Sequence, residues 1–384
     1  MLINKWSGNG TSDISLYEPE FDDLYNFYIK HNKKCYIWGD GKIGSSLNHY
    51  LVQSGMTTLG FVKSDSFGDF KEIYKDCKPG IIIGVSEKNY NEIKPLILSC
   101  VSNDDVFVLP EKIRENIGYH FSLDEIERYF WLNIFVTNIC NLNCKCCSTF
   151  APICKSQPDF YTFDNFKNDL KEFKSLGFDH LNVLKFTGGE PFLHKKLLNL
   201  FEAGREIYPD TTIECYTNGV IPTRLSDEDI KRIADLNVNL VITEYPLTNL
   251  RLEKFYETAD KAGLKYNIIF SEGIKYFSKR PLNFDRSTPK YKFVSCPRYK
   301  FCDSLFMFKS KLYKCIYTFA SQYFNNAFGT DLQVSKFDYL DLNNITKKDV
   351  FEFCRTRIPF CGYCSPIAEK VSWELSKGGI DEWT

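Results

Sequence analysis

The chain has 384 residues, of which 43% are hydrophobic and 25% charged, with a formal net charge of −1. That length and balance predict two or three domains of an ordinary globular protein. Near-neutrality excludes the electrostatic footprint of a nucleic-acid or anionic-membrane binder, and no run of about 18 apolar residues offers a membrane span. The opening Met1–Gly8 lacks the apolar stretch of a signal peptide. Fifteen cysteines in a chain of this length, clustered rather than evenly spread, point to metal ligation in a reducing cytoplasm and away from a disulfide scaffold.

Residues 1–125 read as one unit. A helix is expected from Glu20 to His31, then a short strand over Lys34–Trp38. That strand runs into Gly39-Asp40-Gly41-Lys42-Ile43-Gly44, a G-x-G-x-x-G turn opening a helix whose Ile43, Leu47, Tyr50 and Leu51 share a face. Further strands are expected at Thr58–Val62, at the wholly apolar Gly80–Val85, and at Val106–Pro110. Strands alternating with helices predict a small parallel sheet of Rossmann-like type. A phosphate-bearing ligand, such as a nucleotide, would sit on the amides where the second helix begins, against Gly39, Gly41 and Gly44. Asp65 stands where an acid would meet a ribose hydroxyl. The alternative is a sheet that only packs against the rest.

A helical linker, 122–128, leads to a second β–α alternation over about 129–280, within a second unit of 126–290. Strands are expected at 131–136, 181–186, 211–216, 239–243 and 265–270, and helices at 164–175, 193–207, 226–235 and 249–262. In α/β barrels the chemistry gathers at strand C-termini, and three candidate motifs fall there.

The first is Cys140-Asn141-Leu142-Asn143-Cys144-Lys145-Cys146-Cys147. Cys140, Cys144 and Cys147 have C-x3-C-x2-C spacing, which lets one loop present three thiolates to a cluster. An iron–sulfur cube normally takes four cysteines, so three leave one iron open to a non-protein ligand. A zinc site drawing on two of the four cysteines is the alternative. The second motif is Gly188-Gly189-Glu190, in which residues without a Cβ allow close backbone approach and Glu190 offers an anionic acceptor to an ammonium group. The third is Tyr216-Thr217-Asn218-Gly219. Glu244, ending the next strand, would face the same mouth if the strands close into a barrel; a solvated acid is the alternative.

Together these three stretches resemble the radical S-adenosylmethionine (radical SAM) enzymes over roughly residues 130–270. The resemblance implies a partial (β/α)6 barrel, a site-differentiated [4Fe–4S] cluster on Cys140, Cys144 and Cys147, and SAM held through Gly188, Gly189, Glu190, Thr217 and Asn218. Reductive cleavage of SAM would give a 5′-deoxyadenosyl radical that takes hydrogen from a substrate. An external electron donor such as flavodoxin or ferredoxin is implied as well. Cys146 departs from the family, which often has an aromatic residue before the third cysteine; it is expected to face the local core and not to ligate.

Residues 291–384 bring further cysteines. Cys361 and Cys364 form a C-x2-C turn, and Cys302 and Cys315 flank a plausible hairpin of 305–308 with 311–314. The tail resembles the twitch or SPASM-like extensions that hold an auxiliary [4Fe–4S] cluster, with Cys302, Cys315, Cys361 and Cys364 as ligand set and Cys296 and Cys354 as rivals. The usual glycine five residues before the second cysteine is Ser310 here, and a zinc knuckle on the same four cysteines stays open. The whole reads as an α/β protein: Rossmann-like domain, radical SAM barrel, small Cys-rich domain.

Four functions compete. The first is radical SAM chemistry on a small-molecule or carrier-linked substrate, such as a sugar or a nucleotide-linked molecule. The others are the same chemistry on a peptide or protein, an iron–sulfur oxidoreductase using a nicotinamide nucleotide, and a metal-binding scaffold without catalysis.

Overall fold

The computed structural model describes residues 18–220, 222, 225–246, 252–269, 276–287, 290, 304–365 and 369–384. The first unit opens with helix α1 (Glu18–Lys30), followed by β1 (Cys35–Trp38), α2 (Lys42–Gln53), β2 (Phe61–Val62), α3 (Phe67–Cys77), β3 (Gly80–Ile83), α4 (Glu87–Leu98), β4 (Val106–Phe107) and α5 (Glu111–His120). The strands pair in the order β2-β1-β3-β4, all in parallel. Side chains alternate across a strand, and here both faces are apolar. Ile37 and Ile82 face one core with Leu24, Leu47 and Ile113; Trp38, Ile81 and Ile83 face another with Phe67, Phe70 and Tyr90. Helices cover both faces, which is why β3 is a continuous apolar run. The expected strands at 58–62 and 106–110 are real but shortened to two residues each.

Helix α6 (Leu123–Tyr129) leads into β5 (Trp131–Phe135). Then come α7 (Phe163–Ser175), β6 (Val183–Thr187), α8 (Leu197–Ile207), β7 (Thr212–Thr217), α9 (Asp227–Asp235), β8 (Val238–Thr243), α10 (Leu252–Ala262) and β9 (Tyr266–Ile269). β5 to β9 are parallel neighbours in chain order. Leu132, Ile134, Leu184, Phe186, Ile213, Leu240 and Ile242 turn outward into the main core with Phe166, Leu170, Leu200 and Phe201 of the helices. The opposite face carries Asn133, Lys185, Glu214 and Asn239 in register across four strands, a polar row where closed barrels place bulky aliphatic side chains.

After β10 (Tyr276–Lys279), the hairpin expected in the tail forms as β11 (Ser304–Phe308) and β12 (Lys311–Tyr313). Its β11 pairs in parallel with β5, so the hairpin extends the barrel sheet; β13 (Tyr339–Asp341) adds a further antiparallel strand beyond β12. Lys309 and Ser310 both have positive φ, 49° and 59°, as a two-residue primed hairpin turn requires. This explains why glycine is usual at the second position. Here Ser310 holds the turn by side-chain chemistry: its N–H and hydroxyl each donate to the buried Asp169 of α7, at 2.7 Å, and Tyr161 donates to the same carboxylate.

The two sheets are joined through the helix Lys347–Arg355. His49 Nε2 of α2 donates to the Arg355 carbonyl (3.0 Å), Arg355 donates to the Phe121 carbonyl (3.2 Å), and the Arg357 N–H donates to Gln53 Oε1 (2.8 Å). Among the described residues no helix is long and apolar enough to cross a membrane. Truncating Asp169 to Ala would strand three donors at the hairpin turn. Chemical denaturation should report a loss of roughly 3 kcal/mol, with Asp169→Asn losing less.

Candidate active site at the barrel mouth

β5 and β6 do not stop pairing where their side chains leave the core. Val136 N–H donates to the Thr187 carbonyl (2.9 Å), Gly189 N–H to Thr137 (2.7 Å) and Glu190 N–H to Ile139 (2.8 Å). This ladder carries the chain from β5 directly into Cys140 and from β6 into Glu190, so the two motifs leave the sheet side by side. The glycines are required by that approach. Gly188 has φ +156°, and a Cβ on it would overlap the Thr137 carbonyl oxygen; a Cβ on Gly189 would overlap that of Ile139. The backbone that comes close is therefore the start of the cysteine loop, a nearer reason for the glycines than a bound cofactor.

β7 ends beside them. The buried Glu190 carboxylate accepts from Thr217 Oγ1 (2.8 Å), Asn218 N–H (2.9 Å) and Phe192 N–H (3.1 Å). Desolvation nevertheless outweighs these donors and pushes its carboxyl up to about 7 from an ordinary 4.5. Asn218 Nδ2 reaches the cysteine loop, donating to Asn141 Oδ1 (2.8 Å) and to Cys140 Sγ (3.5 Å). Thr217, Asn218, Glu190 and Cys140 are thus one connected network, drawn from three strand ends.

The cysteine loop is shaped for anionic sulfur. Cys140 Sγ also accepts from Leu142 N–H (3.4 Å), and Cys144 Sγ accepts from the Trp373 indole N–H (3.4 Å). Burial pushes the Cys140 thiol strongly up and that of Cys144 up to about 12, each raised further by the charge of Cys147. Metal binding offsets the cost of ionising such thiols, and three cysteines on one loop suit a cluster. Among the described residues no three His, Cys, Asp or Glu side chains converge as ligands of a single metal ion; the thiolates of a cube bind separate irons and need no such convergence.

Cys146 takes the positive φ of the loop, +58°. It is buried, as expected of a side chain turned to the local interior, although it is not part of the main hydrophobic cluster. Burial raises its thiol, with the charges of Glu382 and Glu369 adding to that and Lys279 and Lys145 opposing it. Glu244 accepts from Tyr256 Oη at 2.9 Å.

Several site residues carried no motif. Tyr245 follows β8 and is half-buried, with its hydroxyl pushed well up by desolvation and by the charges of Cys144, Cys147, Cys140 and Glu190; a single tyrosine after a strand gives no signal in sequence. Lys185 lies over the Tyr216 ring, 3.4 Å from its centroid, on the polar row inside the barrel. The last residues of the chain clasp the cysteine loop. Lys145 N–H donates to the Glu374 carbonyl (2.9 Å), Ser376 N–H to Asn143 (2.6 Å), Asn143 Nδ2 back to Ser376 (2.9 Å), and Trp383 Nε1 to the Cys147 carbonyl (2.9 Å).

Of the tail cysteines, Cys302 and its rival Cys296 lie outside the described residues. Cys315 caps the helix Ile316–Phe328, while Cys361 and Cys364 sit on the turn Pro359–Tyr363 and just after it. Burial pushes the hydroxyl of Tyr317 strongly up, with smaller contributions from the charges of Cys364, Cys315 and Cys147, and its ring stacks on Phe150 at 5.2 Å. The rival Cys354 is fully buried in the helix Lys347–Arg355. None of the thirteen described cysteines is in a disulfide. In the first unit, Gly39 and Gly41 occupy the β1–α2 turn and Gly44 the first turn of α2, Asp40 pairs with Lys63, and Asp65 is exposed.

Parts of this chain are similar to known proteins. Molybdenum cofactor biosynthesis protein 1 of Dictyostelium discoideum is 34% identical over 126 residues, covering 33% of this chain and 19% of that protein. GTP 3′,8-cyclase of Pasteurella multocida is 30% identical over 94 residues, covering 24% of this chain and 27% of that one. The matches therefore span well under half the length of these curated relatives. Among solved structures, that of BtrN in complex with AdoMet and 2-DOIA is similar, with a TM-score of 0.39 and 15% identity over 58% of this chain and 82% of that one. The Radical SAM superfamily profile matches residues 134–243, the stretch that runs from β5 to the end of β8 and contains all three motifs; the chain carries a radical SAM superfamily domain, and with it the implied [4Fe–4S] cluster and S-adenosylmethionine.

Proposed function

We propose that this chain is a radical SAM enzyme acting on a small-molecule or carrier-linked substrate, such as a sugar or nucleotide-linked molecule. The observation that carries the reading is the network joining Cys140, Asn218, Thr217 and Glu190 at the mouth of the barrel. When bound, the cluster and SAM supply one-electron cleavage of the sulfonium C–S bond and the 5′-deoxyadenosyl radical that abstracts hydrogen. The protein's own part is positional. Cys140, Cys144 and Cys147 hold three irons and leave the fourth to SAM. Glu190, oriented by Thr217 and by two main-chain N–H groups, receives the SAM ammonium, which restores its ionised form. Gly188 and Gly189 keep that carboxylate next to the cluster. Tyr245 walls the site, and the polar row with Lys185 and Tyr216 lines the space behind it. The electron comes from an external donor of the flavodoxin or ferredoxin kind. The name of the GTP cyclase relative supports a small, nucleotide-type substrate; modification of a peptide is the alternative.

Two further assignments belong to this reading. The tail, 291–384, is twitch or SPASM-like, with an auxiliary [4Fe–4S] cluster on Cys302, Cys315, Cys361 and Cys364; the hairpin that leads to Cys315 and the turn that carries Cys361 and Cys364 support it. The first 125 residues are a Rossmann-like domain whose Gly39, Gly41 and Gly44 take a nucleotide. The parallel sheet order and the open space over Gly41, where a Cβ would meet nothing within 4 Å, support that assignment. Residues 126–290 are then the barrel.

Anaerobically reconstituted protein should bind about four irons per cluster and release 5′-deoxyadenosine from SAM with reductant. Intact cluster without cleavage would sink the proposal. Cys140→Ala, Cys144→Ala and Cys147→Ala should each abolish release, and Cys146→Ala should not. Cys361→Ala with Cys364→Ala should lower the iron content while uncoupled SAM cleavage persists; zinc recovered from the tail would refute the auxiliary cluster.

Glu190→Gln should weaken SAM binding by roughly 10- to 100-fold through the lost charge-assisted bond, read by equilibrium dialysis. The same substitution tests the burial. A carboxyl whose folded pKa is raised contributes full stability below its unfolded value and loses it as pH rises through the folded one. Without SAM, the wild type should lose up to roughly 3 kcal/mol relative to Glu190→Gln between about pH 4.5 and 7, measured by urea unfolding. Parallel profiles would refute a buried, ionisable Glu190.

A further inference from the structure

We propose that Trp373 is a positioning residue that sets the reduction potential of the cluster through a hydrogen bond to the Cys144 sulfur, and that the C-terminal segment exists at this place to deliver it. The inference rests on the radical SAM reading of the cysteine loop.

β14 (Glu369–Ser372) pairs antiparallel with β10, Ser372 standing opposite Tyr276. The chain then leaves that ribbon and lies alongside Asn143–Lys145. Two main-chain bonds, Lys145 N–H to Glu374 and Ser376 N–H to Asn143, bracket a bridge between Cys144 and Leu375. The Asn143 amide and the Lys145–Glu374 ion pair (3.0 Å) fasten the same stretch. Further along, the fully buried Trp383 packs on Phe150 and Phe324 and donates to the Cys147 carbonyl. The tail is therefore held by the ribbon with β10 before Trp373 and by the cysteine loop after it. Within this frame the indole lies between Cys144 and Tyr245, whose ring centroid is 5.9 Å away, and its N–H points at the sulfur at 3.4 Å. Packing alone needs a ring there, but no donor. The bond to the Cys144 sulfur comes from a segment 229 residues further along the chain.

Reduction by one electron adds negative charge that spreads over the cluster and its thiolates. A donor dipole aimed at one thiolate favours the more negative state and raises the potential, and hydrogen bonds to sulfur are among the protein's levers on cluster potentials. Trp373 thus makes the cluster easier to reduce, while the clasp limits solvent access at the same sulfur.

The test uses the full-length, cluster-loaded protein. Trp373→Phe keeps the ring and removes the donor. In an EPR-monitored redox titration its midpoint should shift to more negative potential than the wild type. SAM cleavage should fall several-fold with a weak one-electron donor and recover with a stronger one. An unchanged or less negative midpoint overturns the inference while leaving the radical SAM reading intact; a wild type that holds no four-iron cluster overturns that reading and this inference together. Where Trp373→Phe fails to load, reduced wild type labelled with 15N-indole tryptophan gives the answer. A nitrogen hyperfine coupling that persists in Trp383→Phe supports the bond to Cys144, and its absence refutes it.

Discussion

Everything at the barrel mouth depends on the main-chain ladder that continues between β5 and β6 beyond their ends. Three hydrogen bonds, from Val136, Gly189 and Glu190, fix the start of the cysteine loop against the Gly188-Gly189-Glu190 turn. Because both partners are backbone, the spacing between Cys140 and Glu190 is set to the precision of a β-ladder and not by flexible side chains. It is also intolerant of change: the carbonyls of Thr137 and Ile139 occupy the space that any Cβ at 188 or 189 would need. A cluster ligand and a carboxylate receptor placed in this way hold a cofactor that must touch both.

The site is electrostatically costly without its cofactors. Glu190 is buried and its carboxyl raised, and two of the three proposed cluster thiols are strongly disfavoured as thiolates by the same burial. A cationic amino group beside the carboxylate and iron beside the sulfurs offset those terms, so binding and ionisation are coupled. The donors already in place, Thr217, Asn218, Leu142 and Trp373, are oriented toward anions. This is preorganisation in the usual sense, with dipoles arranged before the charge arrives.

Much of the fold was legible because its signals are local. The barrel strands lie within a residue or two of where apolar runs placed them, since each strand buries one face against α7–α9. The hairpin at 304–313 was legible too, but its partner was not. Only tertiary pairing puts β11 next to β5, some 170 residues earlier, and nothing in a five-residue apolar strand names its neighbour. Ser310 shows the same limit: sequence marks a missing glycine, and the structure supplies Asp169, whose carboxylate holds the left-handed turn. Cys146 is buried, as a small apolar side chain in such a loop usually is.

The order of residues by itself determined the three motifs, because Cys140, Cys144 and Cys147 share one short loop and Gly188-Gly189-Glu190 and Thr217-Asn218 each end a strand. It determined the β–α alternation as well, through periodicity that neighbouring residues enforce. What only the tertiary structure decided is the company those motifs keep: Tyr245 beside the sulfurs, the polar row of Asn133, Lys185, Glu214 and Asn239, and the C-terminal segment laid on the cysteine loop with Trp373 against Cys144. These contacts join residues tens to hundreds of positions apart, and hydrogen bonds and packing at that separation leave no periodic trace in the chain that makes them.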